Sequence, residues 1–528
     1  MKPTDLGTLF DDLVDRGVPT IVELSRPLDI APEHGTTYDV AELAALVRGA
    51  AGWLHAAGVR PGDRVAVVKE NHWDYVLLAC AAVRLGAVPA LLSDHLTPET
   101  LQLLLKRLDP ALLVTTRTVL DHARDHETDL MGFARRTLTL DGPHAGALDL
   151  DRLRGHEPPR PVSRGADEPL VVNHTSGTTG TPKLVMHSTR TLIQGLGAAE
   201  ATRLPVVSAR PSDTVCSSIA YCHGRAIPWT ASVLWLAPRK VVVIADADDA
   251  EPVLRAHPPT TLEALPSTFV RWQPLAERPD NPFGDVRLYV STFDAVHPPT
   301  VRTYLAASAR RPLWVQVWGQ TETGPLTFRF LTRRSVADHD ARHPSTRNLG
   351  RPAPGRVRLR VVDPRTFRPV PAGQPGLVLA RTRVRCLGYV GEQERWDAKV
   401  VGGWWNTGDI GVRTRTGSYL LLDREVDLIP GQSCVELEDV IEDRLPSVVE
   451  CVILGTPGEL PVPVLVTDGE RVDRRGWAHA VRDLPALADP VVLAWDEIPR
   501  TGTGKVRRME LRTLIRRGHD TFGSGRWT

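Results

Sequence analysis

The ten residues His174–Lys183 have the composition of a phosphate-binding loop. They read His-Thr-Ser-Gly-Thr-Thr-Gly-Thr-Pro-Lys, so glycines, hydroxyl side chains and one lysine lie close together. Glycine allows sharp turns and close approach of backbone N–H groups to a ligand, and hydroxyls and lysine suit phosphate oxygens. The spacing is not that of a Walker A loop, and a flexible connector is the alternative interpretation. The predicted phosphate-binding residues are Thr175, Ser176, Gly177, Thr178, Thr179, Gly180 and Lys183.

The elements around this loop have the pattern of an α/β protein. The apolar run Pro169–Val172 predicts a strand that ends at the loop. Alternating helices and strands are predicted upstream: Tyr38–Ala57, Arg64–Val68, Trp73–Leu85, Val88–Leu92, Leu101–Leu108 and Ala111–Thr115. The pattern continues downstream with a helix at Thr189–Thr202 and strands at Thr214–Ile219, Val241–Ile244 and Val286–Ser291. Such alternation favours parallel sheets flanked by helices. Short runs rich in turn residues in Arg356–Val390 indicate a β-rich subdomain.

Length and composition indicate a multidomain globular enzyme. A chain of 528 residues is too long for one ordinary core. We predict a large N-terminal domain, residues 1–423, and a small α+β C-terminal domain, residues 424–528, that ends in the basic helix Met509–Arg517. The formal net charge of +1 gives no support for nucleic acid or a membrane surface as partner.

The remaining bulk features favour a cytoplasmic location. The N-terminus lacks the cationic and apolar regions of an export signal, and the apolar runs are shorter than a membrane span. Six scattered cysteines do not form a disulfide pattern. Cys216, Cys222 and His223 lie near one another, but no second pair with zinc-ligand spacing accompanies them, so a zinc site is not expected.

Four further motifs follow the loop in order. They are Trp318-Gly319-Gln320-Thr321-Glu322, Asn348-Leu349-Gly350-Arg351-Pro352, Gly403-Trp404-Trp405-Asn406-Thr407-Gly408-Asp409 and Pro499-Arg500-Thr501-Gly502-Thr503-Gly504-Lys505. Together with the loop, this set resembles the adenylate-forming superfamily, which includes acyl-CoA synthetases, adenylation domains of nonribosomal peptide synthetases, and luciferases. The resemblance runs from about residue 37 to 514 and implies an ATP-dependent ligase that joins a carboxylic acid to AMP and releases pyrophosphate.

The resemblance also implies roles for individual residues. Lys505 corresponds to the family's catalytic lysine, which lies on a mobile domain with two orientations and bridges the carboxylate and the α-phosphate; such a cation stabilises developing charge. Glu322 would bind Mg²⁺, since hard carboxylate oxygens suit that ion, and Thr321 would donate to a phosphate. Asp409 would accept from the ribose hydroxyls, with Arg424 reinforcing this contact.

Neighbours of these residues complete the predicted nucleotide site. Trp318 stands where the family usually has tyrosine and could stack on adenine, although a core position is the alternative. Gly319 and Gln320 are expected beside the nucleotide, and Asp294 is expected to accept from the adenine amino group.

The predicted acid pocket departs from the family pattern. It comprises His223, Thr292, Phe293 and Gly319. Ser291–Ala295 replaces a Ser-Gly-Gly turn, so a phenyl ring stands where the family has glycine, which argues against a long straight acyl chain. His223 either orients the carboxylate or is an ordinary hydrogen-bonded pocket residue.

The acceptor of the activated group stays open. The segment after Arg424, Ile429–Leu437, lacks the basic residue and one glycine of the family's pantetheine-side loop. Coenzyme A is the common acceptor in the family, a small amine is nearly as well supported, and a separate carrier protein is the third possibility. A nucleotide-binding regulator without catalysis is disfavoured by the presence of Lys505, Glu322 and Asp409.

Overall fold

The computed structural model describes residues 2–177, 180–337, 344–424, 433–456, 459–469 and 472–517. The chain divides into two compact units. Unit 1 comprises residues 1–263, 321–324 and 383–397, and unit 2 comprises residues 264–320, 325–382 and 398–528. The predicted domain boundary after residue 423 falls inside unit 2 and stays a prediction.

Unit 1 contains an eight-stranded sheet whose central strands are parallel. Its strand order is Gly388–Tyr389, Leu184–Ser188, Pro169–His174, Val88–Ser93, Arg64–Lys69, Leu112–Thr115, Arg136–Thr139 and Leu148–Asp149. Strand Leu184–Ser188 pairs antiparallel with both of its neighbours. The pairs from Pro169–His174 onward are parallel, as the alternating pattern predicted. The carboxyl ends of the parallel strands meet at one edge, and the glycine-rich loop begins at the end of strand Pro169–His174.

A second group of strands in unit 1 has the order Thr37–Tyr38, Ile21–Leu24, Lys240–Val243 and Thr214–Ser218, and Thr261–Ala264 ends at the division between the units. The α-helices of unit 1 are Leu9–Asp15, Val40–Ala56, Asp74–Arg84, Pro98–Leu108, Arg117–Asp125, Ala198–Glu200, Ala226–Leu236, Ala250–Ala256 and Gln393–Asp397. Helix Val40–Ala56 begins at Asp39, whose side chain accepts from Glu42 in a capping box. The helices and strands predicted before residue 116 are confirmed to within a few residues.

One predicted helix has a different winding. A helix was predicted for Thr189–Thr202, and the structure has one there: Arg190–Gly197 forms a π-helix that continues into the α-helix Ala198–Glu200. Gly195 lies so close to Val384 that an added Cβ would approach its Cγ1 to 2.4 Å. The π-helix therefore packs closely against Val384, a contact that the hydrophobic spacing of the segment does not predict.

Unit 2 contains a largely antiparallel sheet and a smaller three-stranded sheet. The larger one runs in the order Leu288–Ser291, Leu313–Gln320, Gly324–Leu331, Asn348–Pro352, Tyr419–Arg424, Trp404–Arg413, Pro375–Thr382 and Val357–Val362, with Val400–Val401 beside Trp404–Arg413. Strands Leu288–Ser291 and Leu313–Gln320 pair parallel, and the pairs from Gly324–Leu331 onward are antiparallel. The β-rich region predicted for Arg356–Val390 is thus confirmed.

The C-terminal part of unit 2 is α+β, as predicted. Strands Val448–Leu454, Val462–Thr467 and Val491–Leu493 form its sheet, with one apolar cluster on each face. The α-helices of unit 2 are Pro266–Arg271, Gln273–Ala276, Pro298–Ala307, Cys434–Arg444, Arg474–Ala480 and Arg508–Arg517. Among the helices of the described ranges, none has the length and apolar character required to cross a bilayer.

Candidate active site

The glycine-rich loop is closed at its base by hydrogen bonds between its two ends. Thr175 N–H donates to the Lys183 carbonyl at 3.0 Å, and Lys183 N–H donates to Thr175 Oγ1 at 3.1 Å. Gly177 has φ +71°, a left-handed conformation that favours glycine, and Gly180 N–H donates to its carbonyl. Thr178 and Thr179 lie outside the described residues. The loop therefore has a fixed base from which backbone N–H groups can face an anion.

The Thr321-Glu322 dipeptide is hydrogen-bonded to strand Leu184–Ser188, which follows this loop, and to the segment 386–389 beside that strand. Tyr389 Oη donates to Glu322 Oε1 at 2.6 Å, and Cys386 N–H donates to the Glu322 carbonyl at 2.8 Å. His187 Nε2 contacts the Thr321 carbonyl at 2.9 Å. Burial lowers the pKa of His187 to about 4, so the ring is neutral, and because a carbonyl can only accept, Nε2 carries the proton. Burial and the Glu322 carboxylate raise the pKa of Tyr389, which stays a donor.

His223 lies beside His174 near the start of the loop. Their ring centroids are 4.8 Å apart, and Cys222 completes a buried group whose candidate ligand atoms lie within 4.8 Å of one another. His174 Nε2 accepts from Ser93 N–H at 3.1 Å, and its Nδ1 donates to the Thr175 carbonyl at 2.8 Å. Both nitrogens of His174 are therefore engaged, and burial raises the pKa of the Cys222 thiol to about 12. As arranged, the group does not offer three free ligand atoms to a metal ion.

An ion-pair network anchors the helix that follows His223. Arg225 binds Glu263 through two N–O contacts of 2.6 and 2.8 Å and also contacts Glu200 at 2.6 Å. The arginine lies two residues after His223 and directly before helix Ala226–Leu236. Planar guanidinium contacts of this kind restrict orientation as well as adding attraction. They hold the backbone from which the His223 ring projects.

In unit 2, Asp409 is the centre of a polar cluster. It is 4% exposed, and its two oxygens accept from different residues. Gln320 Nε2 donates to Oδ2 at 3.1 Å, and Arg424 Nε donates to Oδ1 at 3.1 Å. Gln320 also accepts from Trp405 Nε1 and donates to the Thr407 carbonyl. The structure thus brings together Asp409, Gln320 and Arg424, which lie up to 104 residues apart in the sequence. The Asp409 carboxylate can still accept further hydrogen bonds, as binding of ribose hydroxyls would require.

Lys505 lies on a tight loop at the end of the last motif. Thr501 N–H donates to the Lys505 carbonyl at 2.8 Å, and Lys505 N–H donates to Thr501 Oγ1 at 3.2 Å. Gly504 has φ +73°, and a Cβ added to it would lie 2.0 Å from Ser267 Oγ. The glycine is required both by this conformation and by the close approach of residue 267. In the structure, the lysine loop therefore rests on the start of helix Pro266–Arg271.

The predicted pocket turn keeps a glycine-like backbone despite its side chain. Phe293 has φ +81°, the left-handed region that costs a non-glycine residue roughly 1–2 kcal/mol. Thr292 Oγ1 is buried and has no hydrogen-bond partner within the described ranges, while Asp294 is exposed and accepts from Ala295 N–H. The turn therefore has a backbone conformation that favours glycine, with a phenyl ring added to it.

Trp318 and Gly319 differ in their exposure. Trp318 is half-buried and packs against the apolar cluster that contains Leu326 and Tyr419, so both the stacking and the core interpretation have a physical basis. Gly319 is exposed. The roles assigned to Trp318, Gly319 and the other site residues stay predictions.

Sequence reasoning missed Tyr389 and His187. Tyr389 contacts a residue 67 positions away, and His187 contacts one 134 positions away. Tyr389 lies at the end of the predicted β-rich region Arg356–Val390. A buried aromatic residue is common in such a region, so the sequence did not mark Tyr389 as functional. Neither residue belongs to a motif with a chemical interpretation, so only the pairing of strand Gly388–Tyr389 with Leu184–Ser188 reveals them.

Comparison with known proteins identifies the family. The model of the family described as AMP-binding enzyme matches residues 22–390. The chain is 38% identical to 3-amino-2-hydroxy-4-methoxybenzoate diazotase from Streptomyces cremeus, over 97% of this chain and 95% of that protein. It is 27% identical to a feruloyl-CoA synthase from Amycolatopsis sp, over 92% and 96%. The crystal structure of ATP bound MatB from Rhodopseudomonas palustris matches with a TM-score of 0.75 and 25% identity, over 96% and 99%. The chain therefore belongs to the AMP-binding enzyme family and is an adenylate-forming ligase.

Proposed function

We propose that this enzyme is an ATP-dependent diazotase that activates nitrite as an adenylate and transfers the nitrosyl group to a primary aromatic amine. The observation that carries the proposal is the 38% identity, through nearly the whole chain, to a diazotase that is named for an aminohydroxybenzoate. The proposal keeps the amine acceptor that the sequence left open, and it changes the group that is activated from a carboxylate to nitrite.

The proposed reaction balances without a redox cofactor. A nitrite oxygen attacks the α-phosphorus of ATP, and the bond from that phosphorus to pyrophosphate breaks, which leaves a nitrosyl–AMP mixed anhydride. The amine nitrogen attacks the nitrosyl nitrogen, AMP leaves, and the amine loses a proton to give an N-nitrosamine. Tautomerisation to a diazohydroxide, protonation and loss of water then give the diazonium ion. Nitrite supplies the second nitrogen, so no external oxidant or reductant is consumed.

The residues of the site suit the first step. Lys505 would neutralise oxygens of nitrite and of the α-phosphate as they approach each other. The loop Thr175–Lys183 would hold the nucleotide phosphates through backbone N–H groups. Asp409, with Gln320 and Arg424 on its two oxygens, would bind the ribose.

Glu322 offers the carboxylate that a magnesium ion bound to the nucleotide needs. It is 7% exposed and belongs to a dipeptide fixed by three hydrogen bonds, and hard oxygen ligands of this kind suit Mg²⁺. When bound, the ion would offset negative charge on the phosphate oxygens.

The pocket turn suits a compact aromatic amine. Phe293 adds an apolar ring to a turn that is otherwise built for glycine. Among the described residues, none is a hydrogen-bond partner of the buried Thr292 hydroxyl. It can therefore bond a polar ring substituent, which would relieve the desolvation cost of an unpaired hydroxyl. His223 would contact the acceptor or the activated group.

The experiment uses the purified full-length enzyme with ATP, Mg²⁺, ¹⁵N-labelled nitrite and a panel of aminohydroxybenzoates, in mildly alkaline buffer where free nitrite does not nitrosate amines. We expect AMP release that requires both nitrite and one class of amine, and a trapped azo dye that carries one ¹⁵N. The Lys505→Ala variant should lose both signals. AMP release that is independent of nitrite would overturn the proposal.

A second candidate is acyl transfer from an acyl-AMP to coenzyme A. The feruloyl-CoA synthase, similar over nine-tenths of this chain, supports it. The same assay discriminates: this candidate requires AMP release that depends on a carboxylic acid, together with a thioester that forms only when coenzyme A is present. Parallel reactions with simple amines and with a phosphopantetheine-bearing carrier protein test the other two acceptors, amide formation and carrier loading.

A further inference from the structure

Tyr389 and the strand that carries it approach the glycine-rich loop from the side opposite to strand Pro169–His174. Strand Gly388–Tyr389 pairs antiparallel with Leu184–Ser188, with Tyr389 opposite Val185. That second strand begins directly after Lys183, whose Nζ lies 5.6 Å from the centroid of the Tyr389 ring. Tyr389 is 4% exposed, so contacts with neighbouring residues restrict the position of its side chain.

The hydroxyl of Tyr389 is directed at one oxygen of Glu322. Its 2.6 Å contact with Oε1 is a charge-assisted hydrogen bond, which is shorter and stronger than a neutral one. The bond leaves Oε2 available to a cation. It also selects one side-chain conformation of Glu322, since the other rotamers would break the bond and leave a buried hydroxyl unpaired.

The backbone of the same dipeptide is fixed from two further residues. His187 Nε2 donates to the Thr321 carbonyl at 2.9 Å, and Cys386 N–H donates to the Glu322 carbonyl at 2.8 Å. His187 lies on strand Leu184–Ser188, two residues from the position that pairs with Tyr389. His187 and Tyr389 thus donate from two paired strands, and Cys386 lies two residues before the second of these strands.

We propose that Tyr389 and His187 are positioning residues that orient Thr321 and Glu322 for binding of a divalent cation and its nucleotide. This inference rests on the proposed role of Glu322 as the metal ligand. Hydrogen bonds to metal-ligating carboxylates commonly change affinity by about 10–100-fold when removed, because the ligand then has to be ordered on binding.

The test measures binding of Mn²⁺ and ATP to the full-length enzyme by electron paramagnetic resonance, with no second substrate present. We expect Tyr389→Phe to weaken Mn²⁺ binding in the ATP complex about 10-fold or more. Tyr304→Phe is the matched control, because it removes a buried hydroxyl that donates to the Phe269 carbonyl in the aromatic core of unit 2. That control should bind Mn²⁺ as the parent enzyme does.

Two variants of the histidine separate positioning from folding. His187→Gln keeps a side-chain N–H donor and should retain most of the affinity, whereas His187→Leu lacks one and should lose it. Thermal unfolding of each variant identifies any that is misfolded, and Glu322→Gln sets the size of a full loss.

Equal Mn²⁺ affinity in Tyr389→Phe and in the parent enzyme would overturn the inference, as would an unchanged affinity in Glu322→Gln. The proposed diazotase activity is measured separately, through nitrite-dependent AMP release. A failure of that activity with an intact Mn²⁺ effect therefore refutes the function and leaves the positioning role supported.

Discussion

The contact between His297 and Asp439 offers a quantitative test of the electrostatics of unit 2. His297 lies directly before helix Pro298–Ala307, and its Nδ1 donates to Asp439 Oδ1 at 2.8 Å. Asp439 is fully buried on helix Cys434–Arg444 and also accepts from Thr346 N–H at 2.8 Å. Glu442 of the same helix lies 3.7 Å from His297 Nε2. Replacing His297 by glutamine keeps a hydrogen-bond donor and removes the charge.

The magnitude follows from the pKa of His297. Burial by itself would lower this pKa, but the carboxylates of Glu442 and Asp439, with Glu438 further away, outweigh burial and raise it from the ordinary 6.5 to about 10. One pKa unit corresponds to about 1.4 kcal/mol. Because the pKa is raised by folding, the stabilisation is fully present below pH 6.5 and is lost as the pH rises through about 10. We expect the contribution to the free energy of local unfolding to fall by roughly 2–4 kcal/mol between pH 7 and pH 10.

Hydrogen exchange of peptides from helix Cys434–Arg444 measures this free energy, after correction for the intrinsic exchange rate at each pH. The difference between the parent enzyme and His297→Gln should be largest near neutral pH and small at pH 10. His479→Gln, an exposed histidine on helix Arg474–Ala480, is the control and should leave exchange unchanged. If the difference in local unfolding free energy between the parent enzyme and His297→Gln does not vary with pH, the reasoning is refuted. Such a result would show that His297 stabilises the helix through packing and not through its charge.

Three further predictions concern the site. Lys505→Ala should lower the rate of pyrophosphate exchange about 100- to 1000-fold with unchanged thermal unfolding, and a loss below tenfold would exclude the assigned role. Phe293→Gly should admit bulkier aromatic amines in the AMP-release assay, and an unchanged substrate range would count against the pocket assignment. Its stability should change little, because relief of roughly 1–2 kcal/mol of backbone strain is offset by the greater chain entropy of glycine. Gly504→Ala should slow pyrophosphate exchange, because the added Cβ would lie 2.0 Å from Ser267 Oγ. Adding Ser267→Gly to this variant should restore part of the rate. Absence of any rescue would mean that backbone strain at φ +73° alone is responsible.

The adenylate-forming chemistry was predictable from short motifs because each places its functional atoms within a few residues. The loop 174–183 closes on itself through Thr175 and Lys183, and the lysine loop closes through Thr501 and Lys505. Local hydrogen bonds of this kind depend on residue type and spacing, which a sequence displays. The same reasoning correctly predicted the parallel strands before the loop, since buried strands and amphipathic helices have distinct periodicities.

Two backbone conformations in the structure are not displayed by local sequence patterns. The turn at Phe293 adopts φ +81°, although the residue type argues against a left-handed backbone. The segment Arg190–Gly197 winds as a π-helix although its hydrophobic spacing suits an α-helix. Residue type does not predict the left-handed backbone at Phe293, and hydrophobic spacing does not distinguish π from α winding.

The amino-acid sequence by itself determined the family and the α/β class, since these depend on motifs whose members are neighbours along the chain and on the alternation of helices and strands. The roles of the motif residues stay predictions. Only the tertiary structure decided how those residues are held: that Tyr389 and His187 orient Glu322 and Thr321, and that Gln320 and Arg424 share Asp409. The physical reason is that a hydrogen bond forms between atoms about 3 Å apart in space, and strand pairing brings together residues whose separation along the chain carries no information about that distance.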